Sequence, residues 1–253
     1  MMNFLKKPKE KLQELRHADK NLLIYSLIRK ILLDGLHKYF RLEIEGIEHL
    51  PKYGAALITP NHSGFAGFDA AILAHEINRN CGRIPRVLTH KFWFLSKFTS
   101  ANAKKIGFVE ASMKNGVGHL KKNNLVVIFP EGEKGNFKPT SKRYNLQTFK
   151  SGFVRMALEA QCPIIPTLII GAEETHINLS RLKIFEKTMI PLPLNLLPLP
   201  AKWKIIFLPP LKLPYKKTSL TDEDLIQDIA QEVREAMQKA LSQELAKRTS
   251  IYF

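Results

Sequence analysis

Cysteine is scarce in this sequence: the 253 residues include only Cys81 and Cys162, which form no spacing pattern. Two isolated cysteines argue against a disulfide-stabilised scaffold and against a zinc site built on thiolates. They favour a reducing, cytoplasmic setting. We expect neither a resident metal nor a bound cofactor.

Long apolar runs are also missing. No stretch reaches the ~18 to 20 apolar residues that a helix needs to cross a bilayer. The nearest candidate, Leu22 to Leu33, is interrupted by Arg29 and Lys30. No small-residue cleavage site follows a compact apolar core near the basic N-terminus, so we expect no signal peptide. Any membrane association should therefore be peripheral, on the cytoplasmic face of a membrane.

Acidic residues are outnumbered by basic ones. Asp and Glu number 23 against 39 Lys and Arg, which gives a formal net charge of +16. Such a surface attracts nucleic acid, anionic lipid or phosphorylated ligands, although a solvated lysine-rich surface has the same composition. A nucleic-acid partner is disfavoured, because the basic residues lack aromatic interleaving and a recognised binding motif. An anionic membrane surface is the partner we expect.

Residues 20 to 40 are predicted to form an amphipathic helix with basic flanks. Its apolar stripe recurs at three- and four-residue steps: Ile24, Leu27, Ile28, Ile31, Leu32, Leu36 and Tyr39. Basic helices with a wide apolar face lie in membrane interfaces, but such a face also packs on a folded domain. Both alternatives stay open. We divide the chain into an N-terminal helical segment, 1–44, and one α/β domain, 45–253.

The middle of the chain alternates between short apolar runs and helical patterns. The predicted strands are Ala55–Thr59, Ile84–Thr89, Leu125–Phe129, Ile164–Gly171 and Trp203–Leu208. The predicted helices between them cover residues 69–79, 111–122 and 149–160. Continuous apolar strands alternating with helices indicate an α/β fold with a mixed, mainly parallel central sheet flanked by helices. Active sites in such folds lie beyond the carboxyl ends of strands, here after Thr59, Phe129 and Ile170.

The C-terminal third contains an irregular segment and a helix. Four prolines within residues 184–200 exclude a regular helix or a central strand there. This apolar excursion either packs on the core as a connector or contacts lipid. Thr221 and Asp224 fit a capping pattern and predict that a long helix begins there.

The first candidate site runs from Asn61 to Asp69 and follows a predicted strand. His62 is well placed to be a general base, and a carboxylate bonded to its second ring nitrogen would orient it. Along a straight helix, Asp69 would lie about 10.5 Å away. The pair therefore requires a turn between them, which Gly64 and Gly67 permit. A metal pair would need a third ligand, and none is close in sequence.

The second candidate site is the Phe-Pro-Glu-Gly stretch from Phe129 to Gly132. It follows the strongest predicted strand, and a glycine-rich turn exposes backbone amides that suit an anionic group. Basic residues follow closely: Lys134, Lys138, Lys142 and Arg143. They are candidates to hold a phosphate group, or the 3′-phosphate and pyrophosphate of a CoA carrier. A surface loop with solvated lysines has the same pattern.

In their order along the chain, these two motifs resemble the glycerolipid acyltransferase family, which includes the 1-acylglycerol-3-phosphate acyltransferases of phospholipid synthesis. The resemblance covers residues 45 to 215 and includes Gly107-Phe108-Val109, Ile164-Ile165-Pro166 and Gly171-Ala172-Glu173-Glu174. It implies that His62 is the base and Asp69 its partner. It also implies substrate-binding roles for Gly107, Pro130, Glu131, Gly132, Lys134, Lys138 and Arg143.

The same resemblance implies a reaction. A fatty acyl group would move from a thioester of CoA or acyl carrier protein to an acceptor hydroxyl, without an acyl-enzyme. No Gly-x-Ser-x-Gly motif is present, which disfavours a serine hydrolase.

Two features depart from the family pattern. Six residues instead of four separate His62 from Asp69, and residues 107–112 lack the arginine that is common in enzymes that act on a glycerol phosphate. A neutral acceptor such as mono- or diacylglycerol thus stays open, as does an inactive lipid-binding protein of the same fold.

Overall fold

The computed structural model describes residues 31–62, 67–94, 96–185 and 188–252. The chain divides into two units, Met1–Tyr39 and Phe40–Phe253. In the first unit, residues 31–39 are helical and belong to helix α1, as predicted; the earlier part of the predicted helix lies outside the described residues. Within the described ranges, no helix is long and apolar enough to span a membrane.

The described part of the second unit contains nine strands. They are β1 (Glu43–Glu45), β2 (Ala56–Pro60), β3 (Arg86–Thr89), β4 (Phe108–Glu110), β5 (Leu125–Val127), β6 (Ile164–Ile170), β7 (Asn178–Phe185), β8 (Thr188–Pro193) and β9 (Lys204–Phe207). Seven of these strands form one sheet in the order β1-β9-β6-β2-β5-β3-β4. Neighbouring strands are parallel except for the antiparallel pair β6 and β9. The predicted mixed, mainly parallel sheet is confirmed.

Helices connect and cover the strands. After α1 come α2 (Phe68–Cys81), α3 (Lys97–Lys105), α4 (Met113–Leu120), the single turn α5 (Glu133–Asn136), α6 (Gly152–Ala160) and α7 (Glu223–Ala246). The predicted helices over residues 69–79, 111–122 and 149–160 correspond to α2, α4 and α6. Helix α3 lies just before Gly107, where the sequence indicated a helix without defining its bounds.

The core is centred on β2 and β6, which are adjacent in the sheet. All five residues of β2 and all seven of β6 are buried. Both strands are therefore covered on each face, which explains why their sequences are continuously apolar rather than alternating. The carboxyl end of β2 lies between those of β5 and β6, so three loops meet at one edge of the sheet.

Strands β7 and β8 pair antiparallel in a two-stranded sheet, here called the hairpin, which is separate from the central sheet. The prolines within 184–200 were predicted to exclude a regular helix or a central strand, and the segment is neither. The structure adds that Asn178–Phe185 and Thr188–Pro193 are nevertheless strands. Pro191 and Pro193 are compatible with β8 because a two-stranded sheet has only edge strands, whose outward-facing N–H groups need no partner.

The cap of the C-terminal helix differs from the prediction. Helix α7 begins at Glu223, and the side chain of Asp222 accepts a hydrogen bond from the N–H of Leu225 at 3.0 Å. Thr221 instead ends a short 3-10 helix, Lys217–Thr221. The predicted capping residue, Thr221, was therefore wrong by one position. Asp222 caps the helix instead, because aspartate is an equally good capping residue and its side chain reaches the free N–H of Leu225.

Candidate active site

His62 lies directly beyond the carboxyl end of β2, the middle strand of the central sheet. The preceding residue, Asn61, is fully buried. Its side-chain amide donates to the carbonyl oxygen of Ile169 at 3.0 Å and accepts from the N–H of the same residue at 2.7 Å. These two bonds tie the end of β2 to β6 and hold the backbone from which the His62 side chain extends.

The imidazole of His62 contacts the carboxylate of Asp69. Nδ1 of His62 lies 2.6 Å from Oδ2 of Asp69, and the two side chains are 15% and 0% exposed. The close approach of the two side chains, which the pairing required, is confirmed by this contact. A neutral imidazole that donates its Nδ1 proton to a carboxylate has Nε2 as its acceptor, so Nε2 is the nitrogen available for proton transfer.

Asp69 owes its position to the start of α2. Gly67 precedes the helix with φ of 75°, a left-handed conformation that glycine adopts without steric cost. Asp69 then lies in the first turn, where the helix dipole favours negative charge. Its Oδ1 accepts a 2.8 Å hydrogen bond from the N–H of Ala70. Gly64, the other glycine expected to permit the turn, lies outside the described residues.

The Phe-Pro-Glu-Gly motif supports His62 from the side of β5. The Phe129 ring stacks on the His62 ring, with centroids 4.2 Å apart. Glu131 is completely buried, and its Oε1 accepts a 2.9 Å hydrogen bond from the backbone N–H of His62. Its Oε2 accepts from the N–H of Gln147 at 2.7 Å. Both motifs therefore meet at His62, one through its side chain and the other through its backbone and ring face.

Known proteins resemble this chain over most of its length. The Acyltransferase family model matches residues 41–170, more than half of the chain. An uncharacterized protein of Mycobacterium tuberculosis is 33% identical over 244 residues, which cover 90% of this chain and 68% of the relative.

The chain belongs to the Acyltransferase family.

Two further likenesses concern named acyltransferases. A 1-acyl-sn-glycerol-3-phosphate acyltransferase of Cocos nucifera is 40% identical over 58 residues, which cover 23% of this chain and 16% of that protein. The crystal structure of PlsC, the 1-acyl-sn-glycerophosphate acyltransferase of Thermotoga maritima, matches with a TM-score of 0.50 and 16% identity. The match covers 86% of this chain and 83% of that one. At this identity the structural likeness establishes a shared fold.

Lys138 of this acyltransferase is not at the surface, where a phosphate-binding lysine was expected. Its side chain is 3% exposed, and its Nζ lies 2.9 Å from Oε1 of Glu173 and 3.6 Å from Oε2 of Glu131. Burial raises the pKa of Glu173 to about 7, although the Lys138 ammonium opposes the shift. The lysine is thus enclosed between two buried carboxylates, and this position corrects the expectation that it faces a substrate.

The loop after β6, which follows the candidate site's sheet edge, is linked to α7 by contacts between residues that are distant in the chain. Glu174 accepts a 2.6 Å ion-paired hydrogen bond from Arg248, which follows α7. The Tyr144 hydroxyl accepts from the N–H of Gly171 at 3.0 Å, and Tyr144 donates its own N–H to Glu173 at 2.9 Å. Burial, the largest cause, raises the pKa of Tyr144 well above its ordinary value. The loop after β6 is therefore fixed from both sides.

The remaining basic candidates lie at the surface. Lys134 and Arg143 are exposed, and so is Lys150, which the sequence did not single out. The ammonium of Lys150 covers Gly132, where an added Cβ would come within 3.2 Å of its Nζ. The N–H of Lys150 also donates to the carbonyl oxygen of the buried Pro130 at 2.9 Å. In the sequence, only the positive charge of Lys150 indicated that it could bind an anionic group.

Gly107 is not brought to His62. It precedes β4 and so lies at the amino edge of the sheet, opposite the edge that carries His62. Its φ is 86°, and an added Cβ would collide with the carbonyl oxygen of Pro85. Close backbone approach therefore explains the glycine. Within the described ranges, no group of three or more His, Cys, Asp or Glu side chains is arranged to hold a metal ion.

Proposed function

We propose that this acyltransferase moves a fatty acyl group from the thioester of acyl-CoA or acyl-acyl carrier protein to a hydroxyl of a glycerolipid-type acceptor, such as a lysophospholipid. The observation that carries the proposal is the 2.6 Å contact between Nδ1 of His62 and Oδ2 of Asp69 at the carboxyl end of β2. The family membership supports the acyl transfer, and the names of the Cocos nucifera and Thermotoga maritima proteins suggest the acceptor class.

In the proposed reaction, His62 acts as general base and Asp69 as its orienting partner. The acceptor oxygen attacks the thioester carbonyl carbon while Nε2 of His62 takes the hydroxyl proton. The C–S bond then breaks, and the imidazolium returns the proton to the departing thiolate. Asp69 stabilises the transient imidazolium, as buried carboxylates do for other catalytic histidines. Every proton is accounted for without a covalent acyl-enzyme.

Phe129 and Glu131 contribute to the proposed reaction by positioning. The ring of Phe129 restricts rotation of the His62 imidazole, and Glu131 holds the backbone of the same residue. Small displacements of a catalytic base cost large factors in rate, so a rigid support increases the effective concentration of base and hydroxyl. In this proposal Glu131 does not contact the acceptor, because its side chain is completely buried and both of its oxygens are directed at backbone N–H groups.

The acceptor phosphate, where there is one, would bind to the exposed cations Lys134, Arg143 and Lys150. Lys150 lies over Gly132 in the loop that supports His62, and the other two follow the same loop. A second candidate acceptor is a neutral mono- or diacylglycerol. The missing arginine in residues 107–112 and the burial of Lys138 favour it, since both remove a cation that would hold a phosphate.

We also propose that the enzyme works peripherally at an anionic membrane surface on its cytoplasmic side. The net charge of +16 supports this location, because anionic headgroups attract such a surface. Its proposed substrates are lipids, which are concentrated at the same surface.

The proposal is tested with purified protein, labelled acyl-CoA and acyl-acyl carrier protein, and a panel of acceptors: lysophospholipids, glycerol phosphate, mono- and diacylglycerol. We expect transfer to one acceptor class and its loss in His62→Ala, with unchanged circular dichroism. His119→Ala, at the far end of α4, is the matched control and should retain activity. Full transfer by His62→Ala would disprove the mechanism. Vesicle binding by the unsubstituted protein without any thioester turnover would instead identify a non-catalytic lipid-binding protein.

A further inference from the structure

Four leucines protrude from the end of the hairpin and the chain after it. We call residues 192–197 the leucine loop. Its leucines are Leu192, Leu194, Leu196 and Leu197, which are 39%, 66%, 78% and 82% exposed. Single exposed leucines are ordinary, but a contiguous set of large apolar side chains marks a surface that meets another apolar phase.

Backbone and side-chain hydrogen bonds hold the leucine loop in this exposed form. Leu194 donates its N–H to the carbonyl oxygen of Ile177 at 2.8 Å. The Asn195 side chain accepts from the N–H of Ile177 at 2.9 Å and donates to the carbonyl oxygens of Thr175 at 2.9 Å and Leu197 at 2.6 Å. Because the polar groups are satisfied inward, the leucine side chains point outward as a built feature of the fold.

The leucine loop is connected to the start of α2, which carries Asp69, through the side chain of His176. A ring nitrogen of His176 lies 3.4 Å from the carbonyl oxygen of Leu196, and its ring centroid lies 6.1 Å from that of Phe68. Phe68 is the first residue of α2, immediately before Asp69. A surface that touches the leucine loop is therefore close to the carboxyl edge of the sheet, where His62 lies.

Exposed cations lie beside the base of the hairpin. The N–H of Asn178, the first residue of β7, donates to the Thr140 hydroxyl at 2.8 Å. Lys142 and Arg143 follow Thr140 and are exposed, and Leu179 beside Asn178 is 58% exposed. Leucines flanked by cations are complementary to a layer of apolar chains under anionic headgroups. A protein partner would match the leucines equally well, but it would give the adjacent cations no general role.

We propose that the leucine loop inserts into the outer layer of an anionic phospholipid membrane, with Lys142 and Arg143 at the headgroup phosphates. This orientation turns the carboxyl edge of the sheet toward the lipid, so that a lipid acceptor reaches His62 without leaving the membrane surface. The docking surface deepens the proposed membrane location and does not depend on the proposed acyl transfer. Only its purpose, delivery of the acceptor, rests on that proposal.

A local fluorescent reporter tests the insertion directly. The variant Leu197→Trp places a tryptophan in the leucine loop, and its emission is obtained by subtracting the spectrum of the unsubstituted protein. This emission should shift to the blue when phosphatidylglycerol–phosphatidylcholine vesicles are added. Lipids with brominated acyl chains should quench it. Tyr53→Trp is the matched control, because Tyr53 is 89% exposed and precedes β2 at the opposite edge of the sheet. It should show neither change. An equal response at both positions, or none at position 197, overturns the proposal.

A second variant measures how much the leucine loop contributes. Leu196→Ser with Leu197→Ser should weaken vesicle binding by about tenfold for each leucine, since each loses the burial of one apolar side chain. Its turnover of a short-chain, water-soluble acceptor should be unchanged. Unaltered vesicle binding contradicts the proposed surface, and failure of the unsubstituted protein to turn over any acceptor contradicts the proposed function instead. The two failures are thus distinguishable.

Discussion

The backbone N–H of His62 donates a 2.9 Å hydrogen bond to Oε1 of Glu131, a residue that lies 69 positions later in the chain. The other oxygen of this buried carboxylate accepts from Gln147, so Glu131 joins three separate segments. A residue expected to shape the acceptor site is therefore a support for the proposed base. This relationship leads to the first of four predictions.

Glu131→Gln should preserve the fold, lower its stability and slow catalysis. Glutamine has one acceptor oxygen, so its amide would face the N–H of either His62 or Gln147 and leave that donor unsatisfied. We expect a loss of about 1–3 kcal/mol in the free energy of unfolding and up to about 10²-fold in kcat from displacement of His62. Urea unfolding and initial rates check this. Glu133→Gln, at a side chain that is 59% exposed, should change neither quantity, and an unaffected Glu131→Gln enzyme would contradict the supporting role.

Asp69→Asn should preserve the structure and remove most of the activity. The amide can donate to Nδ1 of His62 and thereby favour the tautomer whose Nε2 carries the proton, which cannot act as a base. By comparison with other His–Asp pairs, kcat should fall by about 10²- to 10⁴-fold. Rates with saturating donor and acceptor measure the loss. Asp228→Asn, at an exposed position of α7, is the control; equal activity in both variants would remove Asp69 from the mechanism.

Lys138→Met should mainly destabilise the fold. It removes the cation that lies between the buried carboxylates of Glu131 and Glu173. Breaking a buried ion pair on one side costs about 3–5 kcal/mol, whereas Lys142→Met at the surface should stay within about 0.5 kcal/mol of the original stability. Denaturant unfolding compares the two. Unchanged stability together with a raised KM for a phosphorylated acceptor would return Lys138 to a substrate-binding role.

Glu173 should make the stability depend on pH. Burial raises the pKa of its carboxyl group from 4.5 to about 7 in the folded protein. The folded state holds this proton more tightly than the unfolded chain does, so the contribution is fully present below about pH 4.5 and is lost as pH rises through about 7. In Glu173→Gln, the decrease in unfolding free energy from pH 5 to pH 8 should be smaller by on the order of 2 kcal/mol. An identical pH slope in both proteins would show that this proton is not bound preferentially by the folded state.

The central strands were predictable because their signals are local. The apolar runs that became β2 and β6 are buried on both faces and need no partner information to be recognised. Strands β1 and β4 were missed: each has three residues, and β1 reads Glu-Ile-Glu. Both lie at the edges of the sheet, where hydrogen bonds to a neighbour rather than apolar patterning define a strand. The β7–β8 hairpin was missed because the prolines in and after β8 argued against a helix or a central strand, and no edge strand was considered there.

His62 and Asp69 could be paired from the sequence because the order of the two motifs resembles an acyltransferase pattern, and the glycines between them permit the chain reversal that the pairing requires. Lys138 could not be placed in the same way. A lysine shortly after a glycine-rich turn has the pattern of a phosphate ligand, and only the approach of Glu173 from the loop after β6 encloses it. The contacts of Lys150 with the Pro130–Gly132 loop and of Arg248 with Glu174 could not be foreseen for the same reason, since these partners are distant in the chain.

Local sequence by itself determined the α/β class, the two motifs and the demand that the chain turn between His62 and Asp69. Apolar runs, glycines and capping residues act over a few positions, so a short stretch of sequence is enough to predict these properties. Only the tertiary structure decided that Glu131 supports His62, that Lys138 is buried and that the leucine loop stays exposed near the site. Those outcomes depend on strand order: β2 lies between β5 and β6, which brings their loops together across distances that no local pattern encodes.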